Sequence, residues 1–115
     1  MIKANNEIRK ETIESMRGGK GKVDISHIME KDQFNNKGRL FAHVKLNPGN
    51  SIGYHKHEGE FEGYYFIKGE GLYNENNKEY SVKAGDFTLV DVGGSHSIEN
   101  TGTEALEFIA LILFE

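Results

Sequence analysis

The stretch GYHKHEGEFEGYYFIKG, residues 53–69, sets His55 and His57 two positions apart and places Glu62 five positions further on. Neutral imidazoles and carboxylates are good ligands for first-row divalent metals. A site that works on a bound molecule needs three or four such ligands, with positions left open. On a strand, residues i and i+2 point to one face, so both imidazoles would project in the same direction. Glu62 follows a short EGEF connection and opens the next strand, from which it can face back. His96, in GGSHSIEN, is the one histidine C-terminal to this stretch and the candidate for a fourth ligand. The bland reading is a pair of surface histidines beside a solvated glutamate, and these residues alone leave both readings open. Glu58 and Glu60 flank Gly59 and read as solvated loop carboxylates, not as paired acids for hydrolysis.

Holding such side chains together requires strands joined by tight turns. The runs KVDISHI, RLFAHVKL, SIGYHKH, EGYYFIKG, GLYNE, KEYSVK, DFTLVD, HSIEN and ALEFIALILF are each bounded by turn residues. Turn signals spaced about 8 to 12 residues apart predict an all-β sandwich or barrel. NPG at 47–49 suits a tight turn, and NENNK at 74–78 suits a hairpin loop. Ahead of the strands, the segment from Asn5 or Asn6 to Arg17 predicts a short helix. It has Asn caps, a loose stripe of Ile8, Ile13 and Met16, and Gly18-Gly19 as a stop. The expected division is a helix and arm over 1–20 and one β-barrel domain over 21–115. The lysine in Gly18-Gly19-Lys20-Gly21 does not make a phosphate loop: the GxxxxGK[ST] spacing is absent, and the predicted helix precedes the glycines.

Larger spacings sharpen the picture. Residues 49–69 run Gly49, five residues, His55, one, His57, four, Glu62, six, Gly69. Residues 85–100 run Gly85, five residues, Asp91, one, Gly93, two, His96, three, Asn100. The first resembles the cupin motif G(X)5HXH(X)3,4E(X)6G at every fixed position. The second resembles the companion motif G(X)5PXG(X)2H(X)3N, with Asp91 where the family has proline. The resemblance implies a small antiparallel jelly-roll (double-stranded β-helix) barrel of cupin type. It also implies one divalent first-row ion inside (Mn, Fe, Ni, Co or Zn, not distinguished), held by His55, His57, Glu62 and His96. The loss of the proline touches the rigidity of one turn and removes no ligand.

Strand parity predicts the lining. Tyr64 and Phe66 share the face of Glu62, and Ile98 shares that of His96. In RLFAHVKL, Leu40, Ala42, Val44 and Leu46 oppose Phe41, His43 and Lys45; His43 joins the candidate lining if the second face looks inward, and is an ordinary surface residue if it looks outward. His27 reads as structural. Tyr64, His43 and Glu60 are the nearest acid or base candidates, and no catalytic residue is singled out. Cupins include metal-dependent dioxygenases, decarboxylases and isomerases as well as non-catalytic binding modules. The expectation is therefore an enzyme acting on a small polar carboxylate-, enol- or sugar-like molecule, with a non-catalytic small-molecule binding or sensing module as the alternative.

The global numbers bound the rest. The chain has 115 residues, 37% hydrophobic and 28% charged, with 14 glycines and a single proline, as a one-domain globular protein with many turns would. A net charge of −4 argues against nucleic-acid partners. The absence of cysteine excludes disulfides and thiolate sites. FIALILF, the longest apolar run, is too short to span a membrane as a helix, and the N-terminus lacks an apolar signal segment, so a cytoplasmic location is expected. Both faces of ALEFIALILF are apolar, and Tyr65 and Ile67 point outward, so a second chain is the expected cover, as a homodimer.

Overall fold

The computed structural model describes residues 1–115 and contains ten strands: β1 (Arg9–Glu14), β2 (Lys22–Met29), β3 (Gly38–Leu46), β4 (Ser51–Lys56), β5 (Glu60–Lys68), β6 (Glu70–Glu75), β7 (Lys78–Lys83), β8 (Phe87–Val90), β9 (Ser95–Asn100) and β10 (Leu106–Phe114). They form a six-stranded antiparallel sheet, ordered β1-β2-β3-β10-β5-β8, facing a four-stranded one, ordered β4-β9-β6-β7. This is the all-β jelly-roll arrangement. No helix is long and apolar enough to cross a membrane.

Period-two alternation builds the core. Ala42, Val44 and Leu46 of β3, Tyr64 and Phe66 of β5, and Leu106, Phe108 and Ala110 of β10 point inward from the larger sheet. Ile52, Tyr73, Val82 and Ile98 meet them from the smaller one, and all are buried. Phe108 sits between Tyr64 and Phe66, at ring-centroid distances of 4.5 and 5.3 Å.

The N-terminal helix does not form. Residues Asn5–Glu7 and Met16–Gly18 are single 3₁₀ turns, and between them Arg9–Glu14 pairs antiparallel with β2. A lone helix of this length is marginal in water, and its stripe of Ile8, Ile13 and Met16 is narrow. β-branched Thr12 and Ile13 suit a strand instead. Pairing also supplies side-chain partners: Thr12 Oγ1 donates to Asp24 at 2.8 Å, and His27 Nε2 lies 2.8 Å from Glu11. Segment 9–14 is thus an edge strand of the main sheet.

The predicted turns do form. Asn76 and Asn77, with φ of 52° and 69°, make the two-residue loop joining β6 to β7. Gly69 has φ of 85°, and a Cβ there would lie 2.5 Å from the Ala105 carbonyl oxygen, so only glycine fits. Asp91 closes its turn without proline, its carbonyl accepting the Gly94 amide at 2.9 Å. Reciprocal backbone bonds between His57 and Gly93–Gly94, at 2.7 and 2.9 Å, stitch that turn to the end of β4.

Candidate metal centre

His55 on β4 and His96 on β9 are cross-strand partners in the smaller sheet, His57 follows the end of β4, and Glu62 projects from β5 of the opposite sheet. The four residues therefore meet in the gap between the sheets. One ligand atom from each lies within 4.8 Å of the others. Glu62 Oε1 is 2.9 Å from both His57 Nε2 and His96 Nε2, which are 3.1 Å apart, and 4.0 Å from His55 Nε2. His57, His96 and Glu62 are almost fully buried.

Each imidazole is fixed by a partner on its outer nitrogen. His55 Nδ1–H donates to the Gly53 carbonyl at 2.7 Å, and His57 Nδ1–H donates to the Glu60 carboxylate. The Tyr73 hydroxyl donates to Glu75 at 3.1 Å, so its oxygen is left to accept from His96 Nδ1–H at 3.0 Å. With Nδ1 carrying the proton in all three rings, each Nε2 turns a lone pair inward, beside the Glu62 carboxylate. Three lone pairs and an anion aimed at one point repel one another unless a cation sits between them. Ligand atoms about 2.1 Å from one ion lie about 3.0 Å apart at a right angle, close to the 2.9 and 3.1 Å separations among Glu62, His57 and His96, while His55 stands farther out, at 4.0 Å from Glu62. The residues fit a divalent ion. The outer partners are of the kind that orient metal-binding histidines and raise their basicity.

Electrostatics agree. When protons instead of an ion neutralise the cluster, burial pushes the Glu62 carboxyl up, but hydrogen bonds from His55, His57 and His96 protonated at Nε2 outweigh it and hold the group well below the usual carboxylate range. Burial depresses His57, yet Glu62 and Glu60 more than compensate and raise it. His96 is lowered, chiefly by burial. Arg39 donates to both oxygens of Glu60 at 2.7 and 2.8 Å and holds that carboxyl down.

Above the cluster lies a cavity of about 60 Å³, lined by His55, His57, Glu62 and Tyr64, by apolar side chains including Ile52, Phe108 and Ile112, and by Arg17 and Arg39. Of the expected lining, Tyr64 is in place, stacked on His96 at 4.9 Å, with burial raising its hydroxyl far above the ordinary value. Phe66 and Ile98 are fully buried in the core and do not reach the cavity. His43 does not line it either: it occupies the outer face of β3, where Nε2 meets Glu107 at 2.9 Å. Glu60, expected in solvent, is 9% exposed and holds His57 in place. Its signal was the i, i+2 relation to Glu62, which puts both on one face of β5. Tyr73, Arg17 and Arg39 carried no comparable signal, since their approach depends on how the sheets pair.

The cupin-domain family model matches residues 42–112. The chain belongs to the cupin family. It is 53% identical over 113 residues to an oxalate-binding protein from Thermotoga maritima, covering 98% of this chain and 93% of the relative. The crystal structure of a predicted oxalate decarboxylase from Thermotoga maritima superposes with a TM-score of 0.94 at 52% identity, over the whole of both chains. An uncharacterized protein with a double-stranded β-helix domain from Klebsiella pneumoniae shares the fold at 22% identity, with a TM-score of 0.72 over 100% of this chain and 96% of its own.

Proposed function

We propose that this chain is a metal-dependent cupin that binds a small dicarboxylate of the oxalate class at the His55, His57, Glu62 and His96 centre. The convergence of three inward-facing lone pairs and one carboxylate carries the reading. A bound divalent ion supplies Lewis acidity and one end of the anion's binding site. The cavity beside it is small, about 60 Å³, and suits a small anion such as oxalate. The relative's description as an oxalate-binding protein supports the same class.

Binding without turnover is the form of this reading that the residues favour. Decarboxylation or isomerisation calls for a free acid or base beside the bound anion. Glu60 is tied to Arg39 and His57, and the buried Tyr64 hydroxyl keeps its proton throughout the physiological range. Titrating oxalate into metal-loaded protein, with assay of formate and carbon dioxide, tests this. Saturable binding without product is expected; product formation would make the protein an enzyme, and no binding would remove the ligand class.

The functional unit is proposed to be a homodimer. Phe41, Phe61, Tyr65, Phe87, Leu89 and Leu111 form an apolar groove on the outer face of the six-stranded sheet, uncovered by the rest of the chain. A patch of this kind marks an association surface.

A further inference from the structure

The chain's three arginines are Arg9, Arg17 and Arg39. Arg9 pairs with Glu30 on the surface, and Arg39, which also lines the cavity, is paired with Glu60 through Nε and one Nη. Arg17 has no carboxylate partner, yet it lines the cavity beside His55, His57 and Glu62.

The backbone at Arg17 adds a second, independent observation. The residue is left-handed, with φ of 55° and ψ of 30°, a conformation that side chains other than glycine, asparagine and aspartate rarely adopt. The turn is fixed in that shape by its contact with β4. A Cβ on Gly53 would lie 2.0 Å from the Arg17 carbonyl oxygen, and a Cβ on Gly19 would lie 2.2 Å from that of Ser51. Lys20 N–H donates to Ser51 Oγ, and Ser51 N–H donates to the Lys20 carbonyl, both at 2.9 Å. Ser15, with φ of 54°, shares the left-handed conformation, so the strain belongs to the turn; its effect is to fix the Arg17 backbone at the cavity wall.

Charge balance supplies the ligand class. Neutral histidines and one carboxylate around a divalent ion leave one net positive charge, and the Arg39–Glu60 pair adds none. Arg17 brings the cavity to two positive charges, matching a small dianion. A guanidinium presents a planar fork of donors suited to carboxylate oxygens. Resting on the proposed metal-centred reading, we infer that Arg17 is the specificity-determining residue of the site, taking carboxylate oxygens of the bound dianion and selecting dicarboxylates over monocarboxylates.

Calorimetric titration of oxalate and acetate into Mn(II)-loaded protein, repeated with Zn(II), tests the inference. The wild type should favour oxalate. Arg17→Gln should weaken oxalate by roughly ten- to a hundredfold, the loss of a charge-assisted bond, and acetate by less, with metal content unchanged. Arg17→Lys should recover part of the loss. Arg17→Gly should lose oxalate equally while melting no lower than wild type, because glycine is at ease at this φ; a merely structural arginine would not separate the two readouts. If wild type binds oxalate and Arg17→Gln binds it within about twofold as well, the role of Arg17 is overturned and the metal-site reading stands. Loss of metal together with oxalate in the variants also overturns it, since Arg17 would then act through the centre. If metal-loaded wild type does not bind oxalate, the ligand class falls, and this role falls with it.

Discussion

The histidines of the centre are distinguished by what holds their outer nitrogens: a backbone carbonyl for His55, a carboxylate already paired to Arg39 for His57, and a tyrosine backed by Glu75 for His96. These contacts settle each tautomer before any ion arrives. Replacing His57 by Ala removes a ligand and leaves Glu60 and Glu62 short of a partner, so affinity for a divalent ion should fall by a hundredfold or more, on the order of 3 kcal/mol. His27→Ala, which alters only the pairing with Glu11, should leave metal affinity unchanged; equal losses in a competition titration with a chromophoric chelator would contradict the ligand set. The pH dependence has a definite sign. Protons and metal compete for His57, whose proton is held more tightly than that of an ordinary histidine because Glu62 and Glu60 outweigh the effect of burial. Metal affinity should therefore fall as pH drops, beginning above the ordinary histidine value of about 6.5. Titrations at pH 5 and pH 8 that gave one affinity would argue against histidine ligation. At this scale the sequence was informative wherever spacing alone fixes direction: His55 and His57 by their separation of two, Tyr64 by parity with Glu62. It misled at Glu60, where the neighbouring Gly59 suggested a solvated loop although the strand already begins at Glu60.

Among the elements, β4 and the 3₁₀ turn at Met16–Gly18 form the most tightly fitted pair around the cavity. Gly53→Ala would drive a methyl group into the backbone carbonyl of Arg17 and should cost about 2–3 kcal/mol. Gly49→Ala has nothing within 4 Å and only a φ of 83° to contend with, so about 1 kcal/mol is expected. Urea denaturation of the two variants measures the difference; equal stabilities would mean that the turn is not pressed against β4 as described. The strands and their turns were readable because glycine and asparagine mark positive φ and alternation marks the buried face. Residues 5–17 were not. Their apolar spacing is compatible with a weak helix, and the decision falls to a non-local partner: Ile13 opposes Val23, and Thr12 bonds Asp24. Edge pairing wins over a helix too short and too narrowly apolar to persist alone.

On the scale of the molecule, the doubly apolar character of ALEFIALILF was visible in the sequence and has its counterpart in β10. Phe108, Ala110 and Ile112 enter the core, while Ile109 and Leu111 open onto the outer groove. Tyr65, Phe87 and Leu89 extend that groove and are 49%, 63% and 47% exposed. Sedimentation at micromolar concentration should give about twice the 13.0 kDa of one chain, and Phe87→Glu should shift the protein toward the monomer; a wild-type monomer would mean the groove faces water. The candidate metal centre lies on the other side of the same sheet. Its most direct test is elemental analysis of protein purified without a chelating column, followed by reloading of the stripped protein with Mn, Ni or Zn. About one divalent ion per chain is predicted, lost in His57→Ala and retained in His27→Ala. Protein that carries no ion and takes up none of the three would contradict the account.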